Sequence, residues 1–155
     1  MASRVALDPY SVALAMLARR ELSTSQVRGR LRRKNYSTEA IEVAVHRLRQ
    51  TGALNDERTA IASARQSAII KLHGRRRALQ KIESLGINSQ QAHAAVNEVF
   101  DEVDEQDLLE RALARRLHGR ITDRAQFRRL YQYLIRQGFD GSMAVAALKA
   151  RDTPT

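Results

Sequence analysis

The side chains that could ligate a metal or carry a proton are few and scattered along this chain. Its four histidines are His46, His73, His93 and His118. No two of them stand at the i,i+3 or i,i+4 spacing that would set two ligands on one helical face. His93 has only Asn97 four residues on. Cysteine is absent, which excludes a disulfide framework, a thiolate metal site and a thiol nucleophile. "LHGRRR" (72–77) is basic enough for a phosphate loop but lacks the second glycine and the Gly-Lys-Ser/Thr ending that cradle phosphates. The acidic run "DEVDEQD" (101–107) falls at a helix start, where carboxylates complement the dipole without any metal. The expectation is a protein without catalytic residues, metal or cofactor.

The cations carry more chemistry. Lys and Arg number 27 against 17 acids, for a formal net charge of +10. Arginine dominates, and residues 1–51 alone contribute six of the ten net charges. Guanidinium groups offer a planar fork to phosphates and release counterions on binding, so a polyanion is the expected partner. The candidates form three groups: Arg28, Arg32, Arg33 and Lys34; Arg75, Arg76, Arg77 and Lys81; and Arg128, Arg129 and Arg136. The first group ends a helix, where cations are welcome for stability alone. Arg75, Arg76 and Arg77 begin one, against its dipole, so an anionic partner is the better reason for them. In "GALNDERTA" (52–60), Asn55 or Asp56 can cap a helix and Glu57 favours its first turn.

The elements that must hold these groups follow from a repeat. "LRRKNYSTEAIEVAV" (31–45), "IESLGINSQQAHAAV" (82–96) and "LIRQGFDGSMAVAAL" (134–148) start 51 and 52 residues apart. Each copy ends a helix at Asn35, Gly86 or Gly138, types that tolerate the left-handed conformation of a helix C-terminus. Tyr36, Ile87 or Phe139 follows, and then a capping residue, Ser37, Asn88 or Asp140. Apolar residues next recur on one helical face. A further helix precedes each copy: "VALAMLARR", "DERTAIASARQSAIIKL" and "DEQDLLERALARRL". "FRRLYQYLIRQ" is the clearest amphipathic stripe, and "STSQ" (23–26) has the form of a capping box. The fold class expected is all-α, an elongated, curved array of three tandem three-helix repeats with about nine helices. Its boundaries fall near 5–51, 52–100 and 101–150, and each unit borrows core from its neighbours. Gly29 falls inside a helix at a cost of about 1 kcal/mol relative to Ala. No run reaches the length of a membrane span, and Arg4, Asp8 and Pro9 interrupt the N-terminal apolar stretch. A cytoplasmic location with no membrane partner is expected.

The stretch "ELSTSQVRGRLRRKNYSTEAIEVAVHRLRQTGALNDERTA", followed by "GRRRALQKIESLGI" and then "LIRQGF", resembles the RecX family of bacterial regulatory proteins, which act on the RecA recombinase. The resemblance spans roughly residues 10–150, and Leu54-Asn55-Asp56-Glu57-Arg58 is its most specific piece. Asn35 stands where the family usually has glycine, and Thr59 where an aromatic residue is common. The resemblance implies a curved string of three-helix repeats that binds along the groove of the RecA–single-stranded DNA filament, with at most weak affinity for free DNA. It implies a monomer that modulates, mainly by inhibition, strand exchange, ATP turnover and co-protease action, within DNA repair, homologous recombination and the SOS response. The eleven basic residues named above are then its filament contacts. The short glycine-containing junctions also suit a different protein, a helix-turn-helix DNA-binding regulator.

Overall fold

The computed structural model of the chain describes residues 7–152, so Arg4 and the expected boundary at residue 5 lie outside the described residues. Among those residues there are nine α-helices, and the only β pairing is an isolated parallel bridge between Ile121 and Asp152. The helices are α1 (Pro9–Arg19), α2 (Thr24–Arg33), α3 (Thr38–Gln50), α4 (Asp56–Arg65), α5 (Arg75–Ser84), α6 (Ser89–Phe100), α7 (Glu105–Ala114), α8 (Arg124–Arg136) and α9 (Gly141–Lys149). A π-helical turn, Gln66–Ile70, extends α4. Substantial side-by-side packing occurs within the triplets α1–α3, α4–α6 and α7–α9. None of these helices is long and apolar enough to cross a membrane.

Short polar residues start the helices as their chemistry requires. Ser23 accepts from the Gln26 amide at 3.1 Å while the Gln26 side chain accepts from the Ser23 amide at 2.9 Å, a complete capping box. Ser37, Asn55, Asn88, Asp104 and Asp123 cap α3, α4, α6, α7 and α8 with the first of these two bonds, each accepting from the backbone amide three residues on. Asp140 occupies the equivalent place before α9 but makes no such cap, and its carboxylate instead accepts from the Ser142 hydroxyl at 2.5 Å. At the other ends, Asn35, Gly86 and Gly138 have φ of 66°, 79° and 96°. Around two of them the chain folds back on its helix, with Tyr36 N–H donating to Leu31 O at 3.3 Å and Phe139 N–H to Leu134 O at 3.2 Å.

The interior divides in two. Ala13, Leu22, Val27, Leu31, Ile41, Val45, Leu48 and Leu54 close one cluster around α1–α3. A second, larger cluster runs without interruption from Ala60 to Leu148 through α4–α9. The borrowing of core expected of every repeat therefore joins the second and third triplets, while the first closes its own. The π-turn serves the larger cluster. Ala60, Ala64, Ala68 and Leu72 are buried at every fourth position, and an α-helix would rotate such a stripe by about 40° per step. The wider rung, with Lys71 N–H donating to Gln66 O at 3.1 Å and His73 N–H to Ser67 O at 2.8 Å, keeps Ala68 and Leu72 on the core side. Leu72 ends the segment at φ 55°. The molecule exposes 9976 Å², against about 7,900 Å² for a compact monomer of its mass, as an elongated repeat should.

Candidate nucleic-acid interface

All eleven basic candidates lie on the middle helix of a triplet or at its C-cap: α2, α5 and α8. These helices meet end to end. The C-terminus of α8 abuts the N-terminus of α5, where Gly74 N–H donates to Gln137 O at 2.8 Å and Arg76 N–H to Gly138 O at 3.2 Å. The approach is close enough that a Cβ on Gly74 would overlap the Gly138 carbonyl, and one on Gly138 would overlap the Arg77 amide nitrogen. The C-terminus of α5 meets the N-terminus of α2 in turn, with the Ser23 hydroxyl donating to Leu85 O and Gly86 against Ser25. With 10, 10 and 13 residues at 1.5 Å each, the three helices make an end-to-end column with about 50 Å of helix in all.

Position along each helix decides which cations face outward. Val27, Ala78 and Leu130 are buried equivalents. Arg76 and Arg128 stand two residues before the last two of these, Arg77 and Arg129 one before, and Arg33 and Arg136 six after Val27 and Leu130. At 100° per residue Arg76 and Arg128 lie about 160° from the buried stripe, and Arg77, Arg129, Arg33 and Arg136 about 100–120° from it, on its flanks. Arg32, Arg33, Lys34, Lys81, Arg128, Arg129 and Arg136 are exposed, and among the described residues none of the seven forms an ion pair. Arg76 is nearly as open, its side chain 68% exposed with the Asp140 carboxylate 3.9 Å away.

The remaining candidates are engaged within the chain. Arg28 makes a two-pronged pair with Glu42 at 2.8 and 3.1 Å, holding that carboxyl below its usual range. His46, four residues after Glu42, shares a surface depression with both, a pairing the sequence reading passed over. Arg75 reaches Asp101 at 3.0 Å, Glu105 at 3.1 Å and the Asn97 amide oxygen at 3.0 Å, and it lies over the Phe100 ring. Arg77 donates to Arg136 O at 3.4 Å. An anionic partner is thus not the only reason for cations at this helix start, since Arg75 and Arg77 have contacts within the chain. The carbonyl end of α8 and two carboxylates offset the α5 dipole there.

The segment "LNDER" builds the joint between α1–α3 and the rest. Asn55 caps α4. Asp56 accepts from the Thr24 amide at 2.8 Å and its hydroxyl at 3.0 Å, covering the start of α2. Arg58 donates to Glu21 at 2.7 Å and to the carbonyls of Gly52 and Ala53. Thr59 is 3% exposed and its hydroxyl lies 3.0 Å from Glu21 Oε2. Sequence reading named Asp56 only as a possible cap and missed Glu21 and Thr24, because their partners lie more than thirty residues away. His73, half-buried beside the α8–α5 contact, has its pKa pushed down to about 4 by burial and then by Arg77, Lys71 and Arg115; its Nδ1 has no hydrogen-bond partner. Among the described residues no group of acids and histidines could hold a metal.

Known proteins share both the sequence and the architecture. The family model described as "RecX, first three-helix domain" matches residues 10–48. A regulatory protein RecX from Syntrophotalea carbinolica is 32% identical over 135 residues, covering 85% of this chain and 88% of the relative. One from Thermotoga petrophila is 31% identical and covers 93% and 84%. The crystal structure of RecX from Lactobacillus salivarius superposes with a TM-score of 0.74 at 19% identity, over 92% of this chain and 95% of that one. A second crystal structure of a regulatory protein RecX gives 0.76 at 20% identity, over 92% and 70%. At those identities the superpositions speak for the fold.

Proposed function

The chain belongs to the RecX family, and from that premise we propose that it binds the RecA–single-stranded DNA filament along its groove and restrains recombinase, ATPase and co-protease activity. It acts as a monomeric, cytoplasmic, non-catalytic clamp whose three units, near 5–51, 52–100 and 101–150, follow successive parts of the filament. The observation that carries the reading is the end-to-end contact of α8, α5 and α2, which gathers the open cations of three units onto one connected run of helices with about 50 Å of helix in all. A line of cations matches a line of phosphates and gains entropy from released counterions. The contacts are assigned to Arg32, Arg33, Lys34, Arg76, Lys81, Arg128, Arg129 and Arg136, with Arg28, Arg75 and Arg77 holding the column in shape.

The test is binding to RecA-coated single strands, naked single strands and naked duplex across a salt series. Wild-type affinity should be highest for the coated strands and fall with salt. Each neutralised phosphate should add about 0.7 to the log–log slope. Replacing Arg76, Arg128 and Arg129 by Gln should flatten that slope. Tight, sequence-specific binding to naked duplex would replace this reading with that of a helix-turn-helix regulator.

A further inference from the structure

The joint between α1–α3 and α4–α6 differs in kind from the joint between α4–α6 and α7–α9. The later two triplets share one apolar cluster, and backbone hydrogen bonds tie α8 to α5. Among the described residues the first triplet shares no apolar cluster with either. Its own closes with Leu54, α4 begins at Asp56, and Asn55 between them carries the chain across. The side chains that bridge this joint are polar. Asp56 accepts from the Thr24 amide and hydroxyl, Glu21 accepts from Arg58 and Thr59, and the Ser23 hydroxyl donates to Leu85 O. The buried polar residues described are Ser23, Thr24, Thr59 and Ser67, and the first three of them all lie here. Water also reaches the joint, since the Arg58 and Glu21 side chains are 45% and 39% exposed.

We infer that α1–α3 is an arm hinged at Asn55 and latched to α4 by the carboxylates of Asp56 and Glu21, while α4–α9 moves as one body. The two kinds of joint respond differently to opening. A shared apolar core resists in proportion to the area that opening would wet. A hydrogen bond released at a wet joint is replaced by one to water, so it fixes the direction of closure and yields readily. The hinge rests on the joint alone, and its use rests on the function proposed above. Arg32, Arg33 and Lys34 ride on the arm, whereas Arg76, Lys81, Arg128, Arg129 and Arg136 belong to the larger body. Turning the arm therefore resets the spacing between two groups of cations and leaves the spacing within each unchanged. One molecule can then follow a row of phosphates whose curvature varies.

The experiment measures distances between spin labels by pulsed electron resonance. The chain has no cysteine, so introduced ones take the labels alone. Exposed Glu39 on α3 and Ala94 on α6 make a pair across the hinge, and Ala94 with exposed Ala146 on α9 makes a control within the larger body. Releasing the latch with Glu21→Ala/Asp56→Ala should widen the 39–94 distribution at least about twofold and leave the 94–146 distribution as in wild type. Glu21→Ala alone should widen the first in the same direction, which keeps the test available if the double variant unfolds. An unchanged 39–94 distribution would overturn the hinge, and so would equal widening of both pairs, which would mean a general loosening. Adding RecA-coated single strands should narrow the widened distribution again. A bound variant whose distribution stays wide would overturn the use given to the arm. Wild-type protein that fails to bind those strands would overturn the proposed function, and the distances in the free protein would still decide the hinge.

Discussion

Gly29 and Gly138 separate two reasons for finding glycine near a helix. Gly29 lies inside α2 with nothing within 4 Å of where a Cβ would stand. Gly29→Ala should raise stability by about 0.5–1 kcal/mol, read as a higher midpoint in urea. Gly138 has φ 96° and its Cβ would overlap the Arg77 amide nitrogen, so Gly138→Val should cost about 3 kcal/mol or more, combining backbone strain with a broken α8–α5 contact. A midpoint unmoved by Gly138→Val would remove the helix-end assignment. His73 carries a pH signature of its own. Its folded pKa of about 4 lies below the unfolded value near 6.5. The unfolded chain therefore binds the extra proton first as acidity rises, and stability that is full above pH 6.5 drains away as pH falls towards 4. By pH 5 the loss should reach about 1 kcal/mol, allowing for partial solvent screening. Melts of wild type and His73→Gln at pH 7 and pH 5 should show the decline to be shallower in the variant.

Among the elements, the start of α5 shows what a sequence can and cannot disclose. Caps and left-handed helix ends were legible, since each is settled within one turn: Ser23 with Gln26, Asn88 with Gln91, Gly86 and Gly138 by their type. Nine helices and their repeat followed. The α8–α5 contact was not legible, because it joins backbone groups some sixty residues apart and leaves no side-chain pattern. Arg75 thus looked opposed to its own helix when only that helix was in view; Asp101 and Glu105 lie on the far side of α6 in the chain. Arg75→Ala should lower stability by about 1 kcal/mol, while Arg76→Ala, with 68% of its side chain exposed, should leave the melt unchanged and weaken filament binding. A melt that fell equally for both would show the α5 start to be held by charge in general, not by the Arg75 contacts.

For the whole molecule, small-angle scattering should return a radius of gyration clearly above the roughly 15 Å of a compact chain of this length. A value at the compact limit would contradict the extended column and the large accessible surface. The division of the interior into two clusters has a consequence for how the protein comes into being. The first cluster is complete once Leu54 has been added, whereas the second needs both Ala60 and Leu148. During synthesis the N-terminal triplet can fold as soon as it clears the ribosome. The remainder must wait for nearly the whole chain, because the second triplet cannot finish its core without the third. A ribosome stalled near residue 100 would therefore carry a finished first unit followed by helices still without their lasting partners.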